Sequence, residues 1–253
     1  MKKKHLYVIY ILIIYLPITY CTNNEDSYTK TFSLNDSTIL YIKYRNDTII
    51  DSFAKQNARI EGLRKLKLDD SFYRYVQYHD GKINGQIVEI SLDNKEIFRG
   101  YIRDDSIQIE DWYNFYPNGN IAVFQYFDNN GKRVFYTEYD TSGKRQKTTG
   151  NPIVSVKGKK ERGMLGETLT LTWNVVKPPE GKVYYYVATQ DNDSTTTKDL
   201  TLIKPLTDVY GVYSEERILS KKGWNYVALK YVWKDNFDNI IHEGHSYFKC
   251  FAE

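Results

Sequence analysis

Trp112-Tyr113-Asn114-Phe115-Tyr116-Pro117-Asn118-Gly119-Asn120 leads into Ile121-Ala122-Val123-Phe124-Gln125-Tyr126-Phe127-Asp128-Asn129-Asn130-Gly131-Lys132 and then Val134-Phe135-Tyr136-Thr137-Glu138-Tyr139-Asp140-Thr141-Ser142-Gly143-Lys144. Asn118-Gly119, Asn130-Gly131 and Ser142-Gly143 set glycines 12 residues apart. Such pairs supply the positive φ that tight hairpins need. Upstream, Asp80-Gly81, Asp93-Asn94 and Asp104-Asp105 continue a pitch of about 12. Strand runs between turns at this spacing predict an antiparallel meander.

Between the turns, Ile121 and Val123 point one way while Ala122, Phe124 and Tyr126 point the other. Val134 to Tyr139 also carries aromatics on both faces. A strand apolar on both faces is buried in a sandwich. Alternatively, Tyr on both faces allows a single twisted layer, since each ring covers apolar surface while its hydroxyl reaches water. The chain has 24 Tyr against 11 Phe, and both readings stay open here.

The Tyr116-Pro117-Asn118-Gly119, Asn130-Gly131-Lys132 and Ser142-Gly143-Lys144 repeats over residues 112–145 resemble the hairpin repeats of MORN-type and YwqK-like antitoxin repeat proteins. A weaker echo runs through residues 75–100 (Tyr78-His79-Asp80-Gly81-Lys82, then Gly85). The resemblance implies a hairpin-repeat fold for residues 28–149 and little about function. One short helix is predicted over Ile49 to Leu66, with Ser52 as cap, Phe53, Ile60 and Leu63 near one face, and Gly62 near its end.

Gly150-Asn151-Pro152 marks a boundary. Beyond it, residues 151–253 hold seven strand runs: 153–156, 168–176, 182–189, 199–203, 209–218, 224–233 and 240–251. Seven short strands in such a span resemble an immunoglobulin-like sandwich, with Trp173 as its core Trp and Tyr226 or Tyr231 as a corner tyrosine.

Met1 to His5 is basic and Leu6 to Tyr20 apolar, too short at about 1.5 Å per residue for a ~30 Å hydrocarbon core. Residues 1–20 therefore read as a signal peptide. No Ala precedes Ala54, and Cys21 stands at the boundary. The stretch resembles the signal of bacterial lipoproteins, which implies Cys21 as the lipid attachment site and residues 21–27 as an acylated tether. It departs from that pattern at Tyr20, where a small residue is usual. Three of the 35 Lys and Arg residues lie in this leader, against 32 Asp and Glu that all lie beyond it, so the rest of the chain is net neutral. Neutrality argues against nucleic acid as a partner.

Chemistry-bearing motifs are sparse. Cys250 lies in a strand-like run and reads as a buried hydrophobe. His242-Glu243-Gly244-His245 is one residue shorter than a zinc-protease motif, and residues three apart on a strand face opposite ways. His79 stands beside a turn. Asp191 to Asp199 offers oxygen ligands at calcium-loop positions, but Thr196 and Leu202 replace its Gly and Glu, so a solvated hairpin loop explains it better. Asp36-Ser37-Thr38, Asp47-Thr48-Ile49, Asp105-Ser106-Ile107 and Asp193-Ser194-Thr195 resemble a short bacterial O-glycosylation motif, and each also suits a turn. Asp69-Asp70 and Asp104-Asp105 are adjacent carboxylates in turns, and nothing places them across a cleft.

The expectation is an all-β, lipid-anchored protein of the bacterial cell envelope, at the outer membrane or a periplasm-facing surface. It would act by binding a protein or glycan. No catalytic residue, metal ligand or cofactor is assigned. The rivals are a glycan-processing enzyme with a carboxylate pair between the domains and a structural accessory subunit.

Overall fold

The computed structural model describes residues 21–22, 27–158, 161–190, 199–203 and 211–253. Every regular element in them is a strand. The leader, residues 23–26 of the tether and the calcium-like loop lie outside the described residues.

The first twelve strands are β1 (Cys21–Thr22), β2 (Ser27–Asn35), β3 (Thr38–Arg45), β4 (Thr48–Gln56), β5 (Arg59–Lys67), β6 (Phe72–His79), β7 (Lys82–Ser91), β8 (Glu96–Arg103), β9 (Ile107–Phe115), β10 (Ile121–Phe127), β11 (Arg133–Tyr139) and β12 (Arg145–Gly150). They form one sheet in chain order, the expected meander. Positive φ falls at every predicted turn: Asp80, Gly81, Asn94, Asp104, Asp105, Gly119, Gly131 and Gly143. Successive turns at one end of the sheet are laced by main-chain bonds, Asn57 to Ser37, Gly81 to Ile60 and Asp105 to Ile83, at 2.9 to 3.2 Å.

The predicted helix is instead the β4–β5 hairpin. Its turn is Asn57-Ala58, with φ of 50° and 66°. Alanine rarely adopts that conformation, so the turn carries no sequence signature and the chance spacing of Phe53, Ile60 and Leu63 mimics a helical face. Ser52 is a mid-strand residue opposite Ile42 and Lys65, and Gly62 (φ 78°) lies in a bulge rather than at a helix end.

The chain divides into two compact units. The first holds the described residues up to Val123 with 129–131 and 140–144; the second holds 124–128, 132–139 and 145–253. The sheets themselves change between Gly150 and Ile153. Within the first unit the described residues build only this one sheet, so the single-layer reading holds there.

The remaining strands, all in the second unit, are β13 (Ile153–Gly158), β14 (Arg162–Gly163), β15 (Thr168–Val175), β16 (Lys182–Gln190), β17 (Asp199–Ile203), β18 (Gly211–Ile218), β19 (Gly223–Lys234) and β20 (Ile240–Ala252). They form a β13-β15-β18 sheet and a β14-β20-β19-β16-β17 sheet, the immunoglobulin-like arrangement. Only β14, two residues parallel to β20, lacks a sequence signal. Alternating Leu169, Leu171, Trp173 and Val175 of β15 meet Tyr185 of β16, Leu229 and Tyr231 of β19 and Cys250 of β20 in one core. Trp173 is fully buried, as predicted. The Tyr231 hydroxyl bonds His242 Nδ1 at 2.7 Å; the tyrosine that ties back the main chain is Tyr185, donating to the Val176 carbonyl at 3.1 Å.

Candidate functional site

In an antiparallel sheet, directly opposed residues project from the same face. Following the pairing from strand to strand gives one unbroken row across β2 to β9: Lys30, Ile42, Ser52, Lys65, Tyr75, Val88, Arg99 and Tyr113. Its cations recur on every third strand. With strands about 4.8 Å apart, Lys30 to Lys65 and Lys65 to Arg99 are each steps of about 14 Å.

Each cation rests on two rings. Lys30 Nζ lies 5.5 and 5.1 Å from the ring centres of Tyr28 and Tyr44, which stack on each other at 4.8 Å. Lys65 Nζ lies 4.0 and 5.6 Å from Tyr73 and Tyr75. Arg99 Cζ lies 4.8 and 5.8 Å from Tyr113 and Phe115, themselves parallel at 5.9 Å. The rings come from two local patterns: i, i+2 pairs on one strand (Tyr73/Tyr75, Tyr113/Phe115) and the directly opposed Tyr28/Tyr44. All these side chains are half-buried. Arg99 also pairs with Glu96 at 3.3 Å. Among the described residues, Lys30 and Lys65 have no carboxylate oxygen within 4.0 Å. Each contact contributes about 0.5–1 kcal/mol, so Lys30 and Lys65 are held in place without being neutralised.

The opposite face is closed. Val76 opposes Ile87, Ile87 opposes Gly100, and the Trp112 indole covers Gly100. Arg64 spans from Phe53 (5.4 Å) to Asp51, donating Nε–H and Nη2–H to its two oxygens at 3.0 and 2.9 Å, and Arg74 pairs with Glu89. Arg64 and Arg74 are thus paired with carboxylates, Lys55 of this face rests on Tyr41 and Phe53 at 5.3 and 5.9 Å, and Val76, Ile87 and Trp112 are buried. Asp51 and Asp111 are the buried carboxylates among the described residues. They project from opposite faces, Asp51 beside Lys43 and Asp111 beside the Tyr113 hydroxyl at 3.5 Å, so they do not converge.

The residues singled out from sequence fall as follows. Cys21 and Thr22 pair with Thr29 and Tyr28, at the edge where the row begins. Cys250 is buried in the sandwich core. His242 opposes Trp233 and stacks on Tyr231 at 5.7 Å, whereas His245 opposes Lys230 on the other face. Burial, and secondarily the nearby Glu243 charge, pushes the Tyr231 phenol up to about 12. His79 Nδ1 lies 3.0 Å from Glu61 Oε1, which raises the imidazole above its ordinary value; Glu61 is held low mainly by the Asp80 N–H at 2.7 Å and then by His79. Asp69 braces a turn through the Ser71 and Phe72 N–H groups (2.6 and 3.1 Å), Asp70 pairs with Lys67 at 2.9 Å, and Asp105 accepts the Ile83 N–H at 2.7 Å. The first three Asp-Ser/Thr triplets each sit at a hairpin turn.

In the second unit, Glu180 is raised by burial, against the opposing pull of Arg145 at 3.3 Å. Trp233 donates to the Glu180 carbonyl at 2.8 Å and faces Phe135 at 5.8 Å. Asp235 is held low by Asn239 and accepts the Phe237 and Asn239 N–H groups at 2.8 and 2.9 Å, which makes it a turn brace.

Lys30, Lys65 and Arg99 escaped the sequence reading. The i, i+2 aromatic pairs were a usable signal. Their alignment depends on bulges at Lys43/Tyr44, Ser52/Ala54, Val76/Tyr78, Glu89/Ile90 and Arg99/Tyr101, which no local pattern announces. Against known proteins, no family model matches the chain and no curated protein matches it.

Proposed function

We propose that the chain is an exported, lipid-anchored binding module of a bacterial cell envelope, acting without catalysis through the cation and aromatic face of its N-terminal sheet. The reading rests above all on the register row, in which cations held on ring pairs recur at a fixed interval, whereas the opposite face pairs Arg64 and Arg74 with carboxylates and, among the described residues, holds a single cation on a ring pair, Lys55. A basic, short apolar leader ending at Cys21 supports export and acylation. β1 supports an anchor beside the binding face, because its two residues pair with the strand that opens the row. Acyl chains would add about 0.8 kcal/mol per buried CH₂.

Two measurements on the full chain, produced in an exporting bacterium, test this. Radioactive palmitate labels the protein and fails to label Cys21→Ser. The protein sediments with purified envelope fragments, and Lys65→Gln combined with Tyr75→Ala lowers the sedimented fraction severalfold without unfolding the chain. Label retained on Cys21→Ser removes the anchor; sedimentation indifferent to the row removes the binding face.

A further inference from the structure

We infer that the row takes an acidic linear polysaccharide, laid across the strands so that acidic sugars several residues apart along it meet Lys30, Lys65 and Arg99. The inference rests on the binding reading above and names its ligand class. Three features of the row select that class.

The first is the composition of each station. A flat ring flanked by a cation suits a sugar whose apolar C–H face lies on the tyrosine while its carboxylate reaches Nζ or the guanidinium. The second is length. Lys30 to Arg99 spans six strand steps, about 29 Å, beyond the reach of any small molecule but natural for an extended polymer. The third is charge. Lys30 and Lys65 have no carboxylate oxygen within 4.0 Å among the described residues, so an anionic ligand need not displace a partner there. At Arg99 it would compete with Glu96.

Two other polymers fit less well. A peptide strand docks by main-chain bonds to a sheet edge, and a row crossing the middle of a face offers it side chains only. A nucleic acid carries dense phosphates and is held by a positive field, whereas here one cation serves about 14 Å of a chain that is net neutral beyond its leader. Three weak stations become useful together, since the second and third engage at high effective concentration.

The test is binding of the full chain to size-fractionated polygalacturonate, with dextran and poly(dT) as the neutral and nucleic-acid probes, at low and high salt. Polygalacturonate is expected to bind at least tenfold tighter than dextran and to weaken with salt. Lys30→Gln and Lys65→Gln should each lose about fivefold, with Lys55→Gln on the other face unchanged. Fragments too short to join two stations should lose further affinity. Equal binding of dextran, tighter binding of poly(dT), or no binding of polygalacturonate each overturns the inference. If envelope sedimentation still depends on the row in those cases, the binding reading stands and only the ligand class falls; if it does not, both fall.

Discussion

Trp112 lies directly on Gly100: a Cβ added at that glycine would stand 2.6 Å from Cδ2 and Cε2 of the indole. The indole N–H is shared between the Tyr101 and Ile109 carbonyls at 3.1 Å each, and Phe98 meets the ring edge-on at 5.1 Å. In a single-layer unit this ring covers the main chain of β8 on its own face, as a second sheet would elsewhere. Gly100→Ala should therefore cost about 2 kcal/mol or more in urea unfolding, because the ring must lift off the strand. Pairing it with Trp112→Leu should recover part of that loss, a coupling expected of residues in contact.

Ala58 predicts a gain. At φ 66° in the two-residue β4–β5 turn it is held in a conformation that glycine adopts freely. Ala58→Gly turns the site into an Asn-Gly turn and should raise stability by about 1 kcal/mol, read as a shift in denaturation midpoint at unchanged slope.

That same turn marks where the sequence stops being legible. Asp-Gly, Asp-Asn, Asp-Asp, Asn-Gly and Ser-Gly pairs announce the hairpins from β6 to β12, and strict alternation in Leu169-Thr170-Leu171-Thr172-Trp173 announces the sandwich. Asn57-Ala58 announces nothing, so two strands read as a helix. Nor do Lys65 and Arg99 stand apart in sequence from any other polar strand residue. Only the bulges between them, at Val76/Tyr78 and Glu89/Ile90, decide that they share a face and a row.

Tyr185 offers a test of the sandwich. Its hydroxyl is buried with the ring and donates to the Val176 carbonyl just past the end of β15, and burial pushes the phenol well above its ordinary range. Tyr185→Phe keeps the packing and strips that carbonyl of its donor. A loss of about 1–3 kcal/mol is expected in thermal or chemical unfolding.

His79 and Glu61 make a pH prediction. The raised imidazole contributes stability that is present below its ordinary 6.5 and fades as pH rises through the folded value. The depressed carboxyl contributes above its ordinary 4.5 and loses that contribution as pH falls through its folded value. The pair therefore contributes most between those two values. By NMR, His79 should titrate above 6.5, return toward it in Glu61→Gln, and shift less at high salt because both groups are largely solvated.

The central claim is that one face of the N-terminal sheet, and not the other, meets the ligand. The most direct measurement is the acetylation rate of individual lysines, read by mass spectrometry, in the full chain with and without purified envelope glycan. Lys30 and Lys65 should be protected together, severalfold, while Lys55, resting on Tyr41 and Phe53 of the opposite face, keeps its rate. Equal protection of all three, or protection of Lys55 alone, would contradict the account.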